Sequence, residues 1–336
     1  MFSEYEHMEN HYNIVKHYQN PKSKLFVEPS TIWISQEKLH GTAYSLITDG
    51  FTVTPCKRSS SLGTDRNFYG HGPVYTKYKL DVITLFTELK SKYPSLQQIQ
   101  LYGELFGGLY NGETDNGSKK VQKGINYCPS NDFMAFDLKL TLPNKVFYLN
   151  FDDVVDLFES LNLKVKTVPI IARGTLSEIL QLNPKFESEV YKNYGLEKVE
   201  NNFAEGFVVK TCEESVTGGR RIFKFKNPQF SEVMNSGPIV SGPKTMTFQQ
   251  QCLEILKTYV TENRFDNIRT KFGEDEEDIE KKLIYMMYKD VVTDFKADHD
   301  DNPDDLLCNE DNVIANIKQL TGFITGFVRR KLLNKS

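Results

Sequence analysis

The chain has 336 residues, 39% of them hydrophobic and 12% aromatic, enough for one large core or two ordinary domains. Its formal net charge of -4 gives no overall attraction for nucleic acid, so any phosphate binding must be local. Five scattered cysteines, Cys56, Cys128, Cys212, Cys252 and Cys308, form no Cys-x-x-Cys pair, which excludes the usual structural zinc patterns and suits reduced intracellular thiols. No basic segment followed by an apolar stretch opens the sequence, and no run approaches the roughly 20 apolar residues of a membrane span. The expectation is a soluble, intracellular protein without a signal peptide or membrane partner.

From Thr31 to Phe230 short alternating or apolar runs punctuated by glycine predict strands. These are Thr31–Ser35, Ala43–Thr48, Phe51–Pro55, Gln98–Leu105, Phe133–Leu140, Gly206–Thr211 and Arg221–Phe225. Helical spacing over Val82–Tyr93, and over Phe151–Leu161 behind the acidic pair Asp152-Asp153, predicts two inserted helices. Antiparallel strands with inserted helices make the first domain α+β. Residues 237–247, with Gly237-Pro238 and Ser241-Gly242-Pro243, read as a linker between domains at 1–236 and 248–336. Beyond it three stretches carry helical periodicity: Cys252 to Tyr259, Ile279 to Val292 and Val313 to Leu332. Acidic runs at Glu274 to Asp278 and Asp298 to Asp305 separate them. No five-strand barrel pattern is present there.

The chemistry is carried by six short strings in a fixed order. Glu37-Lys38-Leu39-His40-Gly41 follows an apolar run, and Pro55-Cys56-Lys57-Arg58 follows a strand. Leu101-Tyr102-Gly103-Glu104-Leu105 and Phe133-Met134-Ala135-Phe136-Asp137 come next. Ala204-Glu205-Gly206-Phe207-Val208-Val209-Lys210 and Arg221-Ile222-Phe223-Lys224-Phe225-Lys226 complete the series. Each string alone is weak, since surface lysines and glutamates are common. A lysine nucleophile needs partial burial or nearby cations to lose its proton, and a following glycine lets backbone approach a nucleotide. Lys224 and Lys226, two apart on a strand, share one face and can grip one phosphate. Lys210, five residues after Glu205, falls by parity on the opposite face, so its entry to a site requires a bulge or twist.

Taken together the six strings resemble the covalent nucleotidyltransferase superfamily of ligases and capping enzymes, and within it the phage-type RNA ligase 2 family with the RNA-editing ligases. The resemblance runs from Glu9-Asn10-His11-Tyr12-Asn13 to Tyr259-Val260-Thr261-Glu262-Asn263-Arg264. His40 stands where DNA ligases and capping enzymes have aspartate. The family implies an ATP-grasp-like ligase fold of antiparallel sheets with a small all-α domain behind it. It implies an ATP-dependent RNA ligase joining 3′-OH and 5′-phosphate ends, at nicks in duplex RNA, with AMP carried on Lys38. ATP and Mg2+ or Mn2+ are the implied cofactors, RNA the partner, and a monomer the working state. Implied nucleotide contacts are Glu37, Lys38, His40, Glu104 at the ribose, Phe136 stacked on adenine, Glu205, Lys210, Lys224 and Lys226, with Glu205 on metal. Lys38, Lys224 and Lys226 are the implied catalytic residues, and Arg58, Arg264 and Arg269 are read as RNA contacts.

One departure stands out. Relatives have asparagine five residues after the nucleophile and DNA ligases have arginine, whereas this chain has Ala43. A capping guanylyltransferase, an ATP-dependent DNA ligase and a silent RNA-binding module remain as alternatives, the last favoured only by Ala43.

Overall fold

The computed structural model describes residues 2–23, 26–63, 67–213, 215–216, 221–232, 247–273, 276–299 and 310–333. Apart from Thr247, the expected linker lies outside them, as do Cys308, part of the acidic run at 274–278 and most of the run at 298–305. Two compact units span Met1–Gln229 and Phe230–Ser336.

In the first unit the order begins β1 (Glu9–Asn10), α1 (His11–Gln19), β2 (Trp33–Glu37), β3 (Thr42–Thr48), β4 (Val53–Lys57), β5 (Ser60–Ser61) and α2 (His71–Lys92). It continues with β6 (Gln98–Gly107), β7 (Asn131–Leu142), β8 (Lys145–Tyr148), α3 (Phe151–Ser160), β9 (Lys166–Thr167), β10 (Ile170–Gly174) and α4 (Leu176–Ile179). β11 (Gly206–Thr211), β12 (Ser215–Val216) and β13 (Ile222–Lys226) close it. One sheet has the order β1-β13-β11-β2-β10; the other runs β12-β8-β7-β6-β3-β4-β5, with β9 parallel beside β7.

Alternation explains why the five-stranded sheet has two characters. Trp33, Phe207, Val209, Phe223 and Phe225 form one apolar face, closed by Tyr18 of α1 and by Leu176 and Ile179 of α4. The intervening positions, Val208, Lys210, Lys224 and Lys226, therefore share the opposite face. In the larger sheet Leu46, Ile99, Leu101, Leu105, Phe133, Ala135, Leu138 and Leu140 pack with Val74, Tyr78, Val82, Leu85, Phe86 and Leu89 of α2. Those α2 residues recur at three- and four-residue steps, so the apolar stripe begins at Val74, and the helix starts eleven residues before the expected Val82. Pro73 sits in its first turn, where a missing N–H costs nothing. The helix expected at Phe151 is capped by the Asn150 side chain, which accepts from the Asp152 N–H. β8 and β10 were not expected; β10 is largely exposed and short, so it carries no periodic signal.

The second unit is all α: α5 (Phe248–Thr258), α6 (Glu262–Arg269), α7 (Ile279–His299) and α8 (Glu310–Leu333). Thr247 and Gln250 make a reciprocal capping box at α5, and Thr261 caps α6. Cys252, Leu256, Phe265, Ile268, Leu283, Met287, Val291, Leu320, Ile324 and Val328 form its core. Together the units confirm an α+β part followed by a helical part. Among the described residues no helix is long and apolar enough to cross a membrane.

Candidate active site

Lys38 extends β2, its N–H donating to Gly206 O at 2.9 Å, so the lysine inherits the sheet's register just past the last strand residue. By alternation Lys38 and Glu37 project to opposite sides. The Lys38 amine lies 2.8 Å from Glu205 Oε2, His40 Nδ1 lies 3.0 Å from the same oxygen, and Lys226 Nζ lies 3.3 Å from Oε1. Glu205 is buried. Burial alone would raise its carboxyl, but the Lys38 and Lys226 charges and the His40 bond outweigh it and hold the group well below the ordinary carboxylate range.

Gly206 places that carboxylate. Its φ of +135° turns the chain between Glu205 and β11, so counting from Glu205 to Lys210 fails as a guide to faces. A Cβ there would stand 2.0 Å from Phe225 O of the neighbouring strand. Gly41 is forced by a similar approach, with Leu105 O 2.2 Å from where its Cβ would be. The Gly41 N–H donates to Glu104 Oε1 at 3.1 Å. Burial pushes the Glu104 carboxyl up to about 8, helped by Glu205, while Lys38, the Gly41 bond and Arg58 pull it down. Arg58 follows β4 and is half-buried, close enough for its charge to act on Glu104. Ala43 is the register partner of Glu104 across β3 and β6, so the methyl group faces the same side as that carboxylate.

Lys210 is buried in an ion pair with Asp137 at 3.1 Å, and its amine also donates to the Phe136 carbonyl. Phe136 is the extra residue of a β-bulge, since Tyr102 pairs with Asp137 while Gly103 pairs with Ala135. Its ring is half-buried and meets Tyr5 edge-on, centroids 4.8 Å apart. The Tyr5 hydroxyl donates to Asp137. Lys224 is half-buried on the Lys226 face, opposite Val208.

Two expected residues stand elsewhere. The Glu37 carboxyl is buried, pushed up to about 7 by burial and bonded to Ser188, away from the lysines, leaving only its backbone beside Lys38. Arg264 corrects the RNA-contact expectation outright. It is fully buried, with NH2 2.9 Å from Asp294 Oδ2, Nε donating to Tyr259 O at 2.8 Å, and NH1 paired with Asp290. Its guanidinium is thus committed to partners inside the helical unit, as a buried charge must be. Arg269 is half-buried and donates to Gly273 O at 3.1 Å beyond the end of α6.

Sequence reasoning missed Tyr127, whose buried hydroxyl accepts the His40 N–H at 2.9 Å, and Asp137 and Tyr5. Only Asp137 carried a signal, its position directly after Phe136. For a divalent cation the site offers the ionised Glu205 carboxylate, a hard oxygen donor of the kind magnesium accepts when waters and phosphates complete its shell. Among the described residues the three-carboxylate cluster is Glu232, Asp290 and Asp294 of the helical unit, where the Arg264 guanidinium already supplies the cation.

The pattern of the RNA ligase family matches residues 31–226, and that of the T4 RNA ligase 2 C-terminal region matches residues 244–321. Mitochondrial RNA-editing ligase 2 of Trypanosoma brucei brucei is 25% identical over 323 residues, covering 79% of this chain and 77% of its own. RNA-editing ligase 1 of the same organism is 23% identical, covering 80% and 71%. A Naegleria gruberi RNA ligase structure aligns at a TM-score of 0.47 and 17% identity over 68% of this chain; the chain spans 57% of that structure.

Proposed function

The chain belongs to the RNA ligase family, in its RNA ligase 2 branch, and from that premise we propose that it uses ATP to join RNA ends, carrying AMP on Lys38. The supporting observation is the convergence of Lys38, Lys226 and His40 on the Glu205 carboxylate, with Glu104 close enough to feel the Lys38 charge. Three separate segments of the chain, at 38–40, 205 and 226, meet at one buried anion, an arrangement that a charged surface does not need.

Three displacements follow. The Lys38 amine attacks the α-phosphorus of ATP, forming a nitrogen–phosphorus bond as pyrophosphate leaves. An RNA 5′-phosphate oxygen then takes the AMP, breaking that bond and freeing the amine. A neighbouring 3′-hydroxyl attacks the adenylated 5′-phosphate, and AMP departs. Each step places charge on phosphate oxygens, so positioned cations supply most of the catalysis. Lys226 and Lys224 would meet the phosphates, Phe136 the adenine, Glu104 the ribose, and Arg58 the RNA strand in the later steps. Glu205, with water and phosphate oxygens, would hold Mg2+ or Mn2+, whose charge would stabilise the phosphoryl oxygens. Glu205 holds the Lys38 amine at 2.8 Å, which fixes where the nucleophile stands.

Nicks in duplex RNA are the proposed substrate, with the helical unit serving RNA docking more than self-adenylation. Incubation with α-labelled ATP and Mg2+ should mark the protein covalently, and Lys38→Ala should remove all label; label retained on that variant refutes the assignment. Labelled GTP tests the guanylyltransferase alternative, and all-RNA against all-DNA nicks test DNA ligase. Ala43 opposite Glu104 is the observation that favours a silent module, and wild-type protein that takes no label would establish it.

A further inference from the structure

A cavity of about 150 Å³ opens beside the start of β7, between α2, β9 and the turn that carries Tyr194. Its floor is the Asp132 carboxylate, which is buried and fully used. It accepts from the Tyr78 hydroxyl at 2.5 Å, the Tyr194 hydroxyl at 2.9 Å, the Lys77 amine at 3.0 and 3.1 Å and the Phe133 N–H at 2.9 Å. Burial pushes both phenols above their ordinary value, so they stay donors and the carboxylate has no need of a further cation.

Lys77 cancels the Asp132 charge, but Lys164 and Lys166 add two more positive charges at the exposed mouth. Among the described residues neither has a carboxylate within ion-pair distance. Lys166 donates to Asn193 Oδ1 at 3.2 Å, which holds its amine at the mouth. A chain of net charge -4 thus has a cavity with an excess of two positive charges, both on lysines at its mouth whose ammonium groups are not spent on Asp132. The place is also suggestive. Met134, which lines the cavity, is the register partner of Glu104 on β6 and of Lys166 on β9. The cavity therefore begins one strand, about 4.8 Å, from Glu104.

We propose that this cavity is a phosphate site that takes a backbone phosphate of the RNA outside the nucleotide pocket. The proposal rests on the reading of the chain as an RNA ligase. Phosphate matches the two lysine charges at the mouth. A polymer supplies it at high effective concentration once the reacting end is bound, whereas free phosphate would gain little from two solvated lysines.

The test compares full-length wild type, K164E/K166E and K164R/K166R for binding of a nicked RNA duplex over a range of salt, with AMP labelling of each in parallel. K164E/K166E should bind about tenfold more weakly near 0.1 M salt, with a salt slope shallower by about 1 for the one lost phosphate contact. K164R/K166R should keep wild-type affinity and slope, and all three proteins should label equally. Unchanged affinity and slope in K164E/K166E overturn the proposal. Inorganic phosphate that stabilises wild type but not K164E/K166E against heat, with RNA affinity the same in both, shows a free-anion site and overturns it equally. Failure of wild type to label refutes the ligase reading by a separate measurement and leaves the binding result to be read by itself.

Discussion

Three buried carboxyl groups near Lys38 are tuned in different directions, and the difference has a measurable consequence. Glu205, flanked by two lysines, stays ionised; Glu104 and Glu37 are pushed by burial up to about 8 and about 7, from an ordinary value of 4.5. Between pH 4.5 and about 8 the folded protein therefore holds protons that the unfolded chain has lost. Stability from these two groups is complete below 4.5 and declines as pH rises through 7 and 8. Glu205 has the opposite sign, but its contribution is already complete above 4.5 and does not oppose the trend. Urea denaturation of the protein should show a decline on the order of 5 kcal/mol from pH 5 to 8. Glu104→Gln, neutral at every pH, should remove much of that slope; an unchanged slope in the variant would show that Glu104 does not hold its proton in the fold. Lys38, His40, Glu104, Glu205 and Lys226 were all named from sequence, because six ordered strings carry a family resemblance that no one of them carries alone. Tyr127 was not, since a tyrosine that holds one backbone N–H from 87 positions away leaves no local pattern.

At the scale of strands, the limits of sequence reading come from departures from strict alternation. Parity places Lys210 away from Glu205, yet Gly206 at φ +135° resets the count, and Lys210 lies on the same face as Lys224 and Lys226. A bulge at Phe136 likewise shifts the register of β7, bringing Asp137 to the Lys210 amine. Strand existence was readable from apolar alternation, as Gly206–Thr211 shows; the breaks in alternation that aim the side chains were not. Gly206→Ala tests this directly, because it imposes both an unfavourable φ and a clash with Phe225 O. The expected cost is more than about 2 kcal/mol by urea unfolding, with AMP labelling reduced even where the protein remains folded. Full labelling at wild-type stability would mean that the turn into β11 does not depend on glycine.

For the whole molecule, the change from alternating to helical periodicity near residue 248 coincides with the start of α5, whereas the second compact unit begins at Phe230. What the pattern could not show was which basic residues of that unit are interior. Arg264 occupies a helix whose polar composition reads as a solvated face, but it lies at the centre of Asp290, Asp294 and Glu232, with Phe265 and Ile268 in the core beside it. Removing one partner of such a group leaves buried carboxylates without a counter-charge, which typically costs 3 to 5 kcal/mol, on the order of a small domain's whole stability. Arg264→Ala should therefore melt the helical unit at a much lower temperature. Lys38, His40, Glu104, Glu205 and Lys226 all belong to residues 1–229, so covalent AMP labelling should persist while sealing of nicked RNA is lost. Calorimetry that separates into two transitions, with labelling intact after the first, is the expected result. A single transition with labelling lost at the same temperature would show that the two units fold as one cooperative body and that Arg264 supports the nucleotide site after all.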